Sequence, residues 1–367
     1  MKIYKKTPPF VRVKCKVNWD YGRWNLGLGS IFFFTLVAKL PIFIFMRVNL
    51  IKGICAVTIA CLSFSSYAQE RYLEVITDSV EVQTFTYVTK NGENLNIDVY
   101  LPWLDDESER PLILFVHGGG FSGGRRDDPG SVQFCRNLAS HGYVSASMSY
   151  RLTRKDQPSL FGCDCPAIEK LNTFQAAVED VQDATFFLIE NRESLGINPQ
   201  KIILAGSSAG AEAILNAGFS PPNCFGLDSG PVSYAGMISM AGAIPDLEKV
   251  YEESAIPTLF FHGTCDNLVP YATASHHYCD STQPGHLILY GSYPISRKLE
   301  QLGVPYWLHS TCGGRHELAG TPMTKYFDVI LEFAYRFVLN SEQTKIHTII
   351  SGNADICDYE SFDFCNQ

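Results

Sequence analysis

The chain has 367 residues, with 29 lysines and arginines against 38 aspartates and glutamates, a formal net charge of −9. Ten of the basic residues but only one acid, Asp20, fall in the first 68 positions, so residues 69–367 carry 19 basic and 37 acidic side chains, a net charge of −18. A field of that sign repels nucleic acid and anionic membrane surfaces and excludes both as partners. The 299 residues it covers suit one α/β domain better than two enzymatic ones.

The N-terminal region reads separately. Met46 opens MRVNLIKGICAVTIACLSFSSYAQE, in which Arg47 and Lys52 form a basic start and Gly53 to Phe64 an apolar run. Ser66-Tyr67-Ala68 then supplies small residues before Gln69. This is the pattern of a secretory signal peptide over 46–68, with an apolar stretch too short to span a bilayer comfortably. Residues 1–45 contain IFFFTLVA and PIFIFM, interrupted by Lys39 and Pro41. They are read as a non-native extension upstream of a true start at Met46. The alternatives are a membrane anchor, or a lipid on Cys61, although Thr58-Ile59-Ala60 lacks the leucine usual before such a cysteine. Export, whether to the periplasm or beyond, implies an oxidising compartment and no stable membrane partner after cleavage. Nine cysteines follow residue 68: Cys135, Cys163, Cys165, Cys224, Cys265, Cys279, Cys312, Cys357 and Cys365. Some should pair, and the odd number leaves at least one unpaired.

The exported part opens with alternating segments at 80–89 and 95–102 joined near Asn91-Gly92, a hairpin signal. LILFVHGG (112–119) is a continuous apolar run ending in glycine, as expected of a strand buried on both faces, and 143–150 reads similarly. A helix is predicted over about 173–196. Then come the strand KIILAGS (201–207), a helix from about 209, and strands at 236–243 and 257–264. A helix at 292–302, a strand at 306–310 and a last helix at 322–339 complete the pattern. Strands alternating with helices give an α/β fold with a mostly parallel sheet, and ligand sites in such sheets lie at the carboxyl ends of strands.

Three stretches carry chemistry. Gly206-Ser207-Ser208-Ala209-Gly210 is G-x-S-x-G between a buried strand and a helix, the context of a strained turn that exposes the hydroxyl of Ser208. Ser207, by parity, points into neighbouring packing. A serine alcohol needs a base, and the base an acid that orients it. Asp266 in FFHGTCDNLVP lies just past a strand end, and His316 in STCGGRHE lies in a glycine-rich loop after another strand. Asp228 and Asp246 are rival acids, but both precede the strand at 257–264. His309 falls inside a strand, and His276, His277 and His286 fall in an apparent insertion at 271–295. The third stretch, His117-Gly118-Gly119-Gly120-Phe121, can turn backbone N–H groups toward one oxyanion, with the Ala209 N–H as a second source.

With HGGGF at 117–121, GSSAG at 206–210, HGTCDNLVP at 262–270 and GGRHE at 313–317, the chain resembles the α/β-hydrolase family, most closely its carboxylesterase/lipase group with an HGGG oxyanion loop. The resemblance covers roughly residues 80–340. It implies an eight-stranded sheet in a catalytic domain over 69–340, with Ser208, Asp266 and His316 acting together and Gly119, Gly120 and Ala209 binding the oxyanion. The 50 residues between Asp266 and His316 exceed the common spacing.

LFGCDCPAIEK (160–170) reads as a small lid-like insertion or a surface excursion, and Phe121, Arg125 and Arg126 as residues that line the substrate pocket or a solvated loop. The tail 341–367, with Cys357 and Cys365, receives no role. The function expected is an exported serine carboxylic-ester hydrolase working through an acyl-enzyme on small-molecule or polysaccharide-borne esters, with no cofactor or metal. The alternatives are a serine peptidase on the same fold, for which no blade repeats precede residue 110, and a non-catalytic cholinesterase-like binding protein. Because acid and base must meet, Cys265 and Cys312 are also expected close enough to pair.

Export predicts an N-terminus at Gln69. Edman sequencing of the secreted protein should return Gln-Glu-Arg-Tyr, and residues from upstream of Met46 would refute both the start site and the cleavage site.

Overall fold

The computed structural model describes residues 71–220, 233–352 and 361–366. The proposed signal peptide, the segment upstream of it, and Cys224, Asp228 and Cys357 lie outside the described residues. The strands are β1 (Val80–Lys90), β2 (Glu93–Pro102), β3 (Arg110–Val116), β4 (Val144–Met148), β5 (Ile197–Ser207), β6 (Gly236–Met240) and β7 (Thr258–Gly263). A short pair, β8 (Thr273–Ser275) and β9 (Ile288–Tyr290), precedes β10 (Tyr306–Thr311) and β11 (Lys345–Ile350). The main helices are α1 (Pro129–Ser140), α2 (Ala167–Glu190), α3 (Ala209–Gly218), α4 (Ser292–Gln301) and α5 (Phe327–Phe333).

The large sheet runs β1-β2-β4-β3-β5-β6-β7-β10-β11. β1, β2 and β4 pair antiparallel, and from β4 across to β11 every pairing is parallel. Asn91 and Gly92 both take positive φ (53° and 82°), the geometry of the tight hairpin expected there. β3 is buried along its whole length because both of its faces are covered. Leu112, Leu114 and Val116 pack with α2 and α3 residues such as Val181 and Ile214. Ile113 and Phe115 pack with Phe134 of α1 and Phe333 of α5 on the other face.

Three elements differ from expectation. α1 was not foreseen, although its start is written in the sequence: Asp128 accepts from the Gly130 and Ser131 N–H groups, and Pro129 needs no partner in the first turn. The final helix is broken at Tyr326 and ends in a π-helical turn, Ala334–Leu339. The sheet has nine strands rather than eight, because the tail supplies β11. Its alternating exposed and half-buried residues fit an edge strand, laid parallel to β10 from Tyr306↔Lys345 to Thr311↔Ile350. No helix among the described residues is long and apolar enough to cross a membrane.

The cysteines also depart from expectation. The loops bearing Cys265 and Cys312 are neighbours, with the Cys265 N–H donating to the Gly314 carbonyl at 2.9 Å. Yet Cys312 bonds to Cys365 of the tail, Cα–Cα 5.6 Å, so the disulfide that holds Cys265 has another partner. A second bond joins Cys163 to Cys279, Cα–Cα 5.2 Å. Cys135 and Cys165 are buried free thiols.

A bond closing 53 residues stabilises by roughly 2–4 kcal/mol. Cys365→Ser should therefore lower the thermal midpoint by about 4–10 °C in calorimetry. Non-reducing peptide mapping should recover Cys312 linked to Cys365, and a peptide linking Cys265 to Cys312 would contradict this arrangement.

Candidate active site

The sheet reverses its direction of growth at β3. The chain passes from β3 outward to β4 on one side and then starts β5 on the other. The loops leaving β3 and β5 therefore diverge and open a crevice at the carboxyl edge. Ser208 stands there, between β5 and α3, with φ 52° and ψ −120°. Its N–H donates to the Met240 carbonyl at 2.9 Å, which fixes the turn to the neighbouring strand β6. The flanking glycines are required sterically. A Cβ on Gly206 would stand 2.4 Å from the Gly210 carbonyl oxygen, and one on Gly210 would stand 2.0 Å from that of Val116.

Ser208 Oγ lies 2.7 Å from His316 Nε2, and His316 Nδ1 lies 2.7 Å from Asp266 Oδ2. The structure thus brings together the three side chains singled out in sequence, across separations of 108 and 50 residues. Asp266 is fully buried. Its Oδ1 accepts from the Leu268 and Val269 N–H groups at 2.9 and 3.0 Å. Burial alone would raise its pKa, but hydrogen bonds from His262 and His316 outweigh it and hold the carboxyl well below the usual range. His262, also fully buried, is gripped by Ser292 Oγ at 2.8 Å and the Val269 carbonyl at 3.0 Å. The loop carrying His316 is pinned to that of Asp266 by Thr264 N–H to Thr311 O, 3.0 Å, and Gly313 N–H to Thr264 Oγ1, 2.9 Å.

A cavity of about 570 Å³ opens over Ser208. Gly119, Gly120 and Ala209 line it, as do Leu160, Phe161 and Gly162 of the cysteine-rich segment. The Gly119 carbonyl accepts from the Ser122 and Gly123 N–H groups at 3.1 and 3.0 Å, curling the loop into a tight turn. A Cβ on Gly119 would meet the Gly123 carbonyl oxygen at 2.3 Å, so the turn admits only glycine there.

Other candidates fall elsewhere. Phe121 is buried away from solvent against Tyr150, Phe161 and Phe174. Arg125 is an exposed partner of Asp127, and Arg126 pairs with Asp98 at 3.0 Å. None of the three lines the cavity. Asp246 caps a short turn by accepting from the Glu248 N–H, and His309 is buried in β10 against Phe261 and Tyr326. His276, His277 and Glu212, by contrast, do line the cavity. The two histidines belong to the insertion at 271–295, which sequence alone gives no role in the site. The long gap between Asp266 and His316 was the available sign that this insertion does more than join two elements. Glu212 had a sign too, standing one helical turn beyond Ser208 as the one charged residue of a helix built, apart from Asn216, of small and apolar residues.

The chain is similar to several known proteins. Residues 97–225 match the family model described as BD-FAE. The chain is similar to the non-reducing polyketide synthase Preu6 of Preussia isomera, 28% identical over 149 residues, which is 39% of this chain and 6% of that protein. It is similar to an ethyl acetate hydrolase of Pseudomonas putida, 28% identical over 131 residues, or 35% of this chain and 36% of that one. In neither case does the match span more than 36% of the relative's length. The propionate-bound structure of a thermophilic esterase from Thermogutta terrifontis aligns over 72% of this chain and 95% of its own, at 19% identity and a TM-score of 0.49.

The cavity histidines give the fold an acid-sensitive element. Burial, then the charges of His277 and Lys170, depress the His276 imidazole well below its ordinary 6.5, and burial followed by Lys170 brings His277 to about 4. An imidazole harder to protonate when folded than when unfolded contributes stability that is complete above about 6.5 and lost as the pH falls toward about 4. The urea midpoint should therefore fall between pH 7 and pH 5, and His277→Gln should flatten part of that slope.

Proposed function

We propose, from the premise that this chain is an α/β-hydrolase of the carboxylesterase and lipase group, that it is an exported serine hydrolase of carboxylic esters. One observation carries the reading: the unbroken hydrogen-bonded chain Ser208 Oγ–His316 Nε2–Asp266 at the floor of the cavity, 2.7 Å at each link. Ser208 attacks the ester carbonyl as His316 Nε2 takes its proton. Asp266 accepts a hydrogen bond from the His316 Nδ1–H, selects that tautomer and stabilises the imidazolium without itself taking the proton. The oxyanion is received by the N–H groups of Gly119, Gly120 and Ala209, the last heading α3. His316 then protonates the leaving alcohol, which departs and leaves an acyl group on Ser208. It next takes a proton from the water that attacks the acyl-enzyme, and returns that proton to Ser208 Oγ as the acid leaves. The likeness to an ethyl acetate hydrolase supports a small ester as substrate. The Cys163–Cys279 and Cys312–Cys365 bonds support an oxidising compartment.

Short p-nitrophenyl esters and chromogenic dipeptides assayed side by side test the reading. Ester turnover with Ser208→Ala lower by about 10⁴- to 10⁶-fold at unchanged folding is the expected result. Asp266→Asn should cost about 10⁴-fold, and Ser207→Ala should retain substantial activity. A serine-reactive organophosphonate should be found on Ser208 by mass spectrometry. Label on Ser207, or cleavage of the dipeptides in preference to esters, would overturn the assignment.

A further inference from the structure

Glu212 and His276 are each 1% exposed, and both form part of the cavity wall beside Ser208. Burying such groups without partners is costly, so buried polar atoms are nearly always hydrogen-bonded. Among the described residues, Glu212 Oε1 and His276 Nδ1 have no hydrogen-bond partner. Glu212 Oε1 lies 3.6 Å from His276 Nε2, too far for a hydrogen bond. Buried Lys170 donates to the Gly285 carbonyl at 2.8 Å and does not bond to Glu212 Oε1. The surroundings hold the pair in place. Glu212 follows Ser208 by one helical turn, its N–H donating to the Ser208 carbonyl at 3.0 Å. The His276 ring packs edge-on against Phe161, centroids 5.1 Å apart.

We infer that Glu212 and His276 form a polar subsite that selects esters carrying a hydroxyl group on the arm lying along α3, about one helical turn from the reacting carbonyl. The inference rests on the ester-hydrolase reading and deepens it, naming a hydroxylated ester as the substrate class. A hydroxyl both donates and accepts, and so can serve two unpartnered atoms at once. Burial raises Glu212 well above the ordinary carboxyl range against the pull of Lys170, and leaves His276 unprotonated. Neutral groups of this kind favour a neutral polar ligand over a cation. The four-residue step from Ser208 to Glu212 corresponds to a rise of about 6 Å along the axis. A hydroxyl a few bonds from the carbonyl carbon, as in a 3-hydroxyacyl chain, is on the scale of that rise. A substrate with a methyl group at that point displaces any water there and leaves both buried atoms unpaired.

Two shape-matched pairs of esters test this. In one, p-nitrophenyl 3-hydroxybutyrate is set against p-nitrophenyl 3-methylbutyrate. In the other, 2-hydroxyethyl butyrate is set against propyl butyrate. The wild-type protein should favour the hydroxylated member of at least one pair by about 10- to 100-fold in kcat/KM. Glu212→Leu and His276→Phe should each bring that ratio close to one, while Glu212→Gln, which keeps a donor and an acceptor, should retain part of it. Wild-type ratios near one in both pairs, with the methyl and propyl esters turned over, would overturn the subsite and leave ester hydrolysis standing. So would a full wild-type ratio in both the Glu212→Leu and His276→Phe variants. Failure of the wild-type protein to hydrolyse any of the four esters would remove the ester-hydrolase reading together with the subsite.

Discussion

The site depends on the backbone of Ser208. A residue with a Cβ takes φ 52° and ψ −120° only where its surroundings leave no alternative, at a cost of order 1–3 kcal/mol. β5 and α3 meet here at an angle so tight that the Gly206 and Gly210 backbones touch, and β3 presses on Gly210 through the Val116 carbonyl. β6 adds the hydrogen bond from Ser208 N–H to Met240 O. Three strands and a helix thus over-determine one residue. The consequence is positional: the hydroxyl is lifted clear of the sheet toward His316, and α3 begins with Ala209 in the wall of the same cavity. The strain is offset by the burial of β3 and β5 from both sides, which is why the nucleophile candidate sits at the centre of the sheet and not on an edge.

Around that fixed point, two buried carboxyls are driven in opposite directions. Burial raises both. Asp266 is compensated by His262, His316 and two backbone N–H groups, and remains ionised. Glu212 has an unpartnered Oε1, gains from Lys170 and loses to the charge of Asp266 itself, so its pKa moves up. The first environment suits a group that must stabilise an imidazolium without taking its proton. The second suits a group that offers a hydrogen bond. Separating the states of nearby carboxyls by environment is how one pocket can hold both functions at neutral pH.

The parts of this molecule legible in its sequence are those that local chemistry dictates. Continuous apolar runs marked β3 and β5, Asn91-Gly92 marked the hairpin, and strand–Gly–x–Ser–x–Gly–helix marked Ser208. Asp266 and His316 were legible because each follows a strand end, and parallel strands bring such ends to one edge. Features that rest on contacts between distant segments were not legible. KIHTII could have been a loose tail; it is β11 only because β10 offers an open edge. Cys312 was adjacent to Cys265 as expected, but its direction was set by where the tail returned. His276 and His277 looked peripheral because the fold of the insertion depends on residues more than a hundred positions earlier.

That dependence explains how the pocket acquires a definite shape. One wall is Leu160, Phe161 and Gly162; the next is His276 and His277. Neither segment belongs to the large sheet, and an untethered loop at a cavity mouth would lose conformational entropy each time a ligand ordered it. Here the two are joined by the Cys163–Cys279 bond, by Gly285 N–H to Cys163 O at 2.8 Å, by Ala167 N–H to Pro284 O at 2.8 Å, and by Lys170 to Gly285 O. Ala167 and Lys170 lie in the first turn of α2, a 24-residue helix packed on the sheet, so the tethers lead back to the core. The cysteine-rich segment is therefore a wall tied both to the insertion and to α2. Selectivity in such a pocket comes from groups held in place before the substrate arrives, and an unpaired buried atom in a fixed wall cannot relax toward another partner. The rigidity that the disulfide and α2 impose on His276 is what gives its unpartnered nitrogen the power to discriminate.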